Sequence, residues 1–156
     1  MNTVPKLIHY SSAQVNKVRS VEQKSASEMK PEGFWFSVED GDGWKDWCES
    51  EGFRLDDFKV EHEVILVPDA SILRLSSPQD IDTFSAKYKN IQESPYSYLQ
   101  IDWRSVARRY QGIIIAPYQW ARRLYQGCNW YYGWDCSSGC VWDAAAVKSI
   151  TTQIGE

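Results

Sequence analysis

Pro31-Glu32-Gly33-Phe34-Trp35-Phe36-Ser37-Val38 is the stretch on which the fold turns. Three consecutive aromatic residues, entered through Pro-Glu-Gly and closed by Glu39-Asp40-Gly41-Asp42-Gly43, predict a β-strand bounded by turns. Side chains alternate across a strand, so Phe34 pairs in orientation with Phe36, and Trp35 with Ser37. One pair faces a core and the other a cleft, which makes Trp35 and Ser37 the natural wall of that cleft. Gly33 permits another backbone to approach the strand closely.

Working outward, Leu7-Ile8-His9-Tyr10 is a second strand, ending at Ser11-Ser12. Glu63–Val67, stopped by Pro68, and Ile72–Leu75 are two more, and Gly112–Ala116 reads as a strand buried on both faces. Ser77-Pro78-Gln79-Asp80 supplies an N-cap, a proline at the first helical position and an early acid. Ile81, Phe84 and Tyr88 follow at helical spacing. A second helix opens near Asp102, with Trp103, Val106, Ala107 and Tyr110 on one stripe. Further helices are expected through Trp44, Trp47, Cys48 and Glu51, and over Ala144–Ile150. Residues 13–31 read as a polar loop with at most one helical turn. This unequal mixture predicts an α+β fold in one domain spanning 1–156.

The composition excludes several classes. The net charge is −4, which is wrong for a general nucleic-acid binder. No apolar run reaches the ~20 residues of a membrane span, and the N-terminus lacks the pattern of a signal peptide. Four cysteines are too few for a disulfide scaffold, so reduced thiols and a cytoplasmic location are expected. No glycine-rich phosphate cradle is present. With only two histidines and a Cys136-x-x-x-Cys140 gap unlike a zinc knuckle, no metal site is expected. Cys136–Cys140 reads as a tight turn with two packed thiols.

Aromatic residues are abundant, with eight Trp, nine Tyr and five Phe. Trp120, Trp130, Trp134 and Trp142 crowd the last quarter, where they form either a core or a stacking surface. Charge is segregated: residues 32–63 hold eleven acids and three bases, and residues 102–123 hold five Arg and one Asp. These are two solvated faces, or an arginine patch for phosphates beside an acidic lobe. His62, between Glu61 and Glu63, reads as a surface residue. His9, inside an apolar strand, is a satisfied core residue or a ligand contact.

Taken together, the strands at Leu7–Tyr10 and Phe34–Ser37 resemble the ADP-ribosyltransferase superfamily. More specifically, Pro31–Ser37, Ile72–Leu75, Tyr110–Tyr118 and Trp130–Cys140 resemble a small bacterial and viral group with that fold. The resemblance implies a split, curved β-sheet core flanked by helices, with two small sheets forming a cleft for NAD. It implies that His9 holds the adenosine ribose and that Tyr10, Ser11, Trp35 and Ser37 complete the NAD site. The superfamily places a catalytic Glu on a late strand. After Glu63 this chain has only Glu93 and Glu156. Asp135, inside the densest aromatic segment, is the better candidate, with Gly133 allowing close approach and Asp143 in reserve.

The implied reaction is transfer of ADP-ribose from NAD to a macromolecular acceptor, with release of nicotinamide. The acceptor is RNA, DNA or protein; Arg104, Arg108, Arg122 and Arg123 tilt the expectation toward nucleic acid. The analogy extends to toxins and phage-defence effectors, which implies an antitoxin or inhibitor protein as a further partner. The alternative is a non-catalytic nucleotide- or nucleic-acid-binding module on the same fold. An RNA 2′-phosphotransferase is a third reading, with the arginines as its only phosphate-binding set.

Overall fold

The aromatic run Phe34–Val38 forms a central strand because both of its faces find apolar cover. The structure, a computed structural model, describes residues 4–24, 28–53, 58–89, 100–125 and 127–153. Its strands are β1 (Leu7–Ser11), β2 (Phe34–Val38), β3 (Val60–Leu66), β4 (Ile72–Leu75), β5 (Gly112–Ile115), β6 (Ser138–Val141) and β7 (Val147–Gln153). Among the described residues, three α-helices accompany them: α1 (Trp44–Glu51), α2 (Pro78–Tyr88) and α3 (Trp103–Ala107). The strands join in one sheet of order β4-β5-β6-β2-β1-β3-β7. Among the described strands only β4 and β5 pair in parallel, with α2 and α3 lying between them in the chain. The fold is α+β, as expected, but its strands form one sheet rather than two small ones.

That sheet opens locally. β1 meets β2 only through Leu7 opposite Val38 and Ile8 opposite Ser37. On its other edge β1 stays paired with β3 from Ile8 to Ser11. Beyond Ile8, therefore, β1 follows β3 and leaves β2. On the far side β2 remains paired with β6 from Phe34 to Ser37. Gly33 allows that pairing, since a Cβ there would stand 2.6 Å from the Val141 carbonyl oxygen and 2.8 Å from Cys140 Sγ.

Two apolar layers hold the sheet. One contains Trp103, Trp130, Tyr131, Trp134, Ile113 and Ile115 beneath α2 and α3. The other contains Phe36, Val38, Val64, Ile114 and Val141. All four residues of β5 are buried, as the sequence predicts for a strand covered on both sides. The start of α2 also matches its sequence signal: Ser77 Oγ accepts the Asp80 N–H at 3.1 Å, with Pro78 beginning the helix. At α3, Asp102 Oδ1 accepts the Ser105 N–H at 3.3 Å. That helix ends at Ala107, short of Tyr110.

Three expectations need correction. Ala144–Ile150 is not a helix. A short 3-10 turn at Ala144–Ala146, capped by Asp143, leads into β7, which pairs with β3 along most of its length. Cys136–Cys140 is not a tight turn, because Ser138–Val141 extends as β6 and buries Cys140 in the core. Residues 13–24 form the expected loop, without a helical turn. Its Val21 N–H donates to the Trp142 carbonyl at 2.8 Å. Finally, His62 is not a surface residue; it is 0% exposed. Alternation along β3 turns it inward with Val64. Its Nδ1–H donates to the His9 carbonyl at 3.0 Å, and its Nε2 accepts the Val15 N–H at 2.8 Å. Both ring nitrogens are satisfied, which makes its burial tolerable.

Candidate functional site

Where β1 leaves β2, the open edge of the sheet becomes a cavity of about 310 Å³. This is near the lower bound of ~300–1,000 Å³ for small-molecule sites. His9, Tyr10, Trp35, Ser37 and Asp135 all line it. Five residues singled out in the sequence, from three separate segments, therefore share one space.

His9 spans the split. Its Nδ1–H donates to the Trp35 carbonyl at 2.5 Å, bridging strands whose own ladder has ended. Its ring stacks on Phe34 with centroids 4.2 Å apart and planes at 25°. Burial pushes its pKa below the ordinary histidine value; the Trp35 bond opposes this, and His62 adds to it. His9 is thus neutral at pH 7, and with Nδ1 donating, Nε2 is left as an acceptor.

Tyr10 lies on the other face of β1, the face shared with Trp35 and Ser37. Its hydroxyl donates to Glu39 in a short hydrogen bond. Burial raises the pKa values of both groups. Ser37 Oγ accepts the Trp44 N–H at 2.8 Å and so ties the start of α1 to the end of β2. The hydroxyl proton of Ser37 takes no part in that bond. Ser11 lies outside the cavity lining and donates to the Ala13 carbonyl, closing a turn.

The junction of β2 and α1 requires Gly43. A Cβ there would stand 2.5 Å from Ser37 Oγ and 2.9 Å from the Val38 carbonyl oxygen. Gly43→Ala is therefore expected to destabilise the chain by about 1–3 kcal/mol, the usual cost of overpacking. Urea unfolding measures it; an unchanged midpoint would show that α1 moves aside at no cost.

Asp135 follows the 3-10 segment Asn129–Gly133 and precedes β6. Its Oδ1 accepts from Arg123 Nη2 at 3.3 Å. Arg123 Nη1 also donates to the Tyr118 hydroxyl at 2.8 Å, and that hydroxyl donates to the Trp134 carbonyl at 2.5 Å. The carboxylate is thus held by Arg123 and is about one-quarter exposed. Gly133 is not what permits this approach: a Cβ there would meet Met29 at an ordinary 3.4 Å. Asp143 does not line the cavity. It accepts from Gln111 Nε2 at 3.0 Å and from the Ala145 N–H at 2.9 Å, as a capping residue. Glu93 and Glu156 lie outside the described residues.

The arginines do not act as one free patch. Arg122 forms a two-pronged ion pair with Asp82, at 2.8 and 2.9 Å, and Arg123 is engaged by Asp135. Arg104 and Arg108 are exposed on or beside α3 and line neither this cavity nor its neighbour. The two pairs were invisible in the sequence because Asp82 and Asp135 lie outside the basic segment.

Lys30 and Trp44 also line the cavity and were not singled out from the sequence, as does Trp134, one of the crowded C-terminal rings. Lys30 Nζ stands 5.7 Å from the Trp35 ring centroid, a cation at the mouth suited to phosphate oxygens. Trp35 and Trp134 meet edge to face at 5.0 Å, giving the cavity an aromatic side. Cys136 lines it too, but burial pushes its thiol up to about 12, so it is no nucleophile at neutral pH. No metal-holding group of His, Cys, Asp and Glu occurs among the described residues. Among the same residues, no helix is long and apolar enough to cross a membrane. The chain matches no protein-family model, no curated protein and no solved structure.

Proposed function

We propose that this chain is an ADP-ribosyltransferase that uses NAD and modifies a macromolecule. One observation supports the reading: the cavity at the sheet split gathers His9, Tyr10, Trp35 and Ser37, four of the five residues the family resemblance implies for NAD, together with Asp135, the candidate for the missing glutamate; Ser11 is the one that stays outside. The chemistry of the lining fits NAD. Trp35 and Trp44 offer apolar ring surface to nicotinamide, with the buried Trp134 backing Trp35. The neutral His9 offers Nε2 to a ribose hydroxyl, and Lys30 faces the diphosphate. Asp135 is the carboxylate for the nicotinamide ribose. Its negative charge favours the state in which C1′ becomes cationic over the ground state, which is how a fixed charge accelerates a reaction.

Incubating the full chain with NAD and following nicotinamide release tests this directly. His9→Ala is expected to weaken NAD binding about tenfold, since one hydrogen bond and its aligned ring contribute on the order of 1–1.5 kcal/mol. Calorimetric titration measures it beside thermal melting. A large fall in melting temperature with unchanged NAD affinity would make His9 a purely structural bridge.

A second reading, a nucleotide-binding module without transfer, is favoured by the Arg123–Asp135 ion pair, which already gives the carboxylate a cationic partner. Tight NAD binding with no nicotinamide release under any condition would establish it.

A further inference from the structure

Glu39 follows β2 directly and lies outside the lining of the cavity, yet two hydroxyl side chains beside it, Tyr10 and Ser37, belong to that lining. Tyr10 donates its hydroxyl to Glu39 Oε1. Ser37 Oγ and Glu39 Oε2 border one space, the one a Gly43 side chain would fill, at 2.5 and 2.9 Å from its Cβ position. The backbone is fixed as well, since the Glu39 N–H donates to the Lys6 carbonyl at 2.9 Å, just before β1. Phe58 packs against the Tyr10 ring in an edge contact at 4.9 Å. A half-buried carboxylate is thus anchored behind a ring that faces the cavity.

We infer that Glu39 is a specificity-determining residue acting through Tyr10: it makes the cavity favour a dinucleotide whose nicotinamide ring is cationic, the oxidised form, over the neutral reduced form. This rests on the reading of the cavity as an NAD site, but not on transfer. A phenol that donates to a carboxylate has a more electron-rich ring, and such a ring attracts a cation to its face. The carboxylate adds its own field at short range, where the protein screens less than water does. Dihydronicotinamide carries no charge and gains from neither effect. The polarity of the cavity matches that of NAD: Lys30 is offered to the diphosphate, and Glu39 stands beyond Tyr10 for the pyridinium.

The surroundings support a role for the charge itself. Asp46 from α1 and Glu61 from β3 add to the negative side, while Lys45 from α1 opposes them and pairs with Glu61 at 3.7 Å. Burial first, then those two acids, raise the Glu39 pKa above its ordinary value, against the pull of the Tyr10 bond and Lys45. Burial and Glu39 in turn hold Tyr10 as the neutral phenol. A raised carboxylate pKa means that the ionised form lowers the stability of the fold, and that this loss sets in as pH rises through the raised value. A glutamine would accept the same Tyr10 bond without that cost, so the carboxylate is not what the fold alone requires.

To test this, the full chain is titrated by calorimetry with NAD and, separately, with NADH, and nicotinamide release is followed in the NAD samples. NAD should bind about tenfold more tightly than NADH. Glu39→Gln should lower NAD affinity about five- to tenfold, leave NADH affinity within about twofold, and melt no lower than the parent. Between about pH 7.5 and 5, the parent should lose NAD affinity as Glu39 takes up its proton, and the variant should lack that part of the loss. Asp46, Glu61, Asp135 and His9 are common to both proteins, so the difference belongs to Glu39. Tyr10→Phe keeps the ring but not the bond, and reads the same preference if the glutamine variant folds poorly. Equal affinity of the parent for the two forms, or equal losses of both in Glu39→Gln, would overturn the inference and leave Glu39 a support of the wall. Binding of neither dinucleotide would remove the NAD reading and the inference together. A preference that follows Glu39 without any nicotinamide release would uphold the inference and retire the transferase reading alone.

Discussion

Asp135→Asn should lower the rate of nicotinamide release from NAD by about 10²–10³ while leaving NAD affinity within a few-fold of the parent. On the proposed reading, Asp135 accepts an ordinary hydrogen bond from a ribose hydroxyl in the ground state, and an amide oxygen accepts that bond as well. As the glycosidic bond stretches, positive charge grows on the ribose, and only the carboxylate responds to it. Folding should be nearly unaffected, because the side chain is partly exposed and its polar contact is the single bond from Arg123 at 3.3 Å. An asparagine oxygen preserves that contact. Asp135→Glu is the companion: it supplies the residue usual in the superfamily and should retain part of the activity. Asp143→Asn is the control, since that side chain caps a 3-10 turn outside the cavity. Full activity in Asp135→Asn would move the chemistry to another group and favour the binding-module reading.

The residues of this site were legible because each carried a local signal. Phe34–Val38 announced a strand by its rings and flanking turns, and parity alone set Trp35 and Ser37 on one face. Asp135 stood out as an acid inside a dense aromatic segment. What could not be read was anything decided at long range. Lys30 is a plain lysine before a proline until Trp35 folds beside it. Trp44 belongs to the cavity only because Ser37 Oγ draws the first turn of α1 down onto β2. His62 seemed exposed between two glutamates, but its burial depends on partners 53 and 47 residues away, the His9 carbonyl and the Val15 N–H. The arginine segment advertised a phosphate surface, because a sequence shows cations without showing that Asp82 and Asp135 fold against them. The three alanines at Ala144–Ala146 suggested a helix, and β-branched Val147, Ile150, Thr151 and Thr152 were outvoted. Pairing with β3 decided the matter in their favour.

The aromatic density of the second half has its largest consequence for stability, and Trp103 is where it should be greatest. The residue is 1% exposed. Its ring lies 5.7 Å from Phe84, 6.3 Å from Trp130 and 6.4 Å from both Trp134 and Trp142, measured between centroids. Its Nε1–H donates to the Glu28 carbonyl at 2.9 Å, and Glu28 also pairs with Ile101 through its backbone. Trp103→Ala empties the centre of this cluster, and four rings held in place by other contacts cannot all collapse inward. About 3–5 kcal/mol should be lost, as for other buried aromatic deletions. That is a large share of the ~5–15 kcal/mol by which a typical domain is stable, and corresponds to a fall in melting temperature of roughly 6–20 °C. The effect should also reach the cavity. The segment from Glu28 is tied by Trp103, and Trp134 Nε1–H holds its next residue at the Met29 carbonyl, 3.2 Å away. Lys30, the cation at the cavity mouth, comes directly after. A variant still folded at low temperature should therefore bind NAD more weakly as well. Trp120→Ala is the matched control, since its ring is 57% exposed and its loss should change stability by no more than ~0.5–1 kcal/mol. Urea unfolding of both variants decides it: equal losses would mean that the buried rings contribute no more than a surface indole, and that the stability of the fold lies in the strand ladders instead.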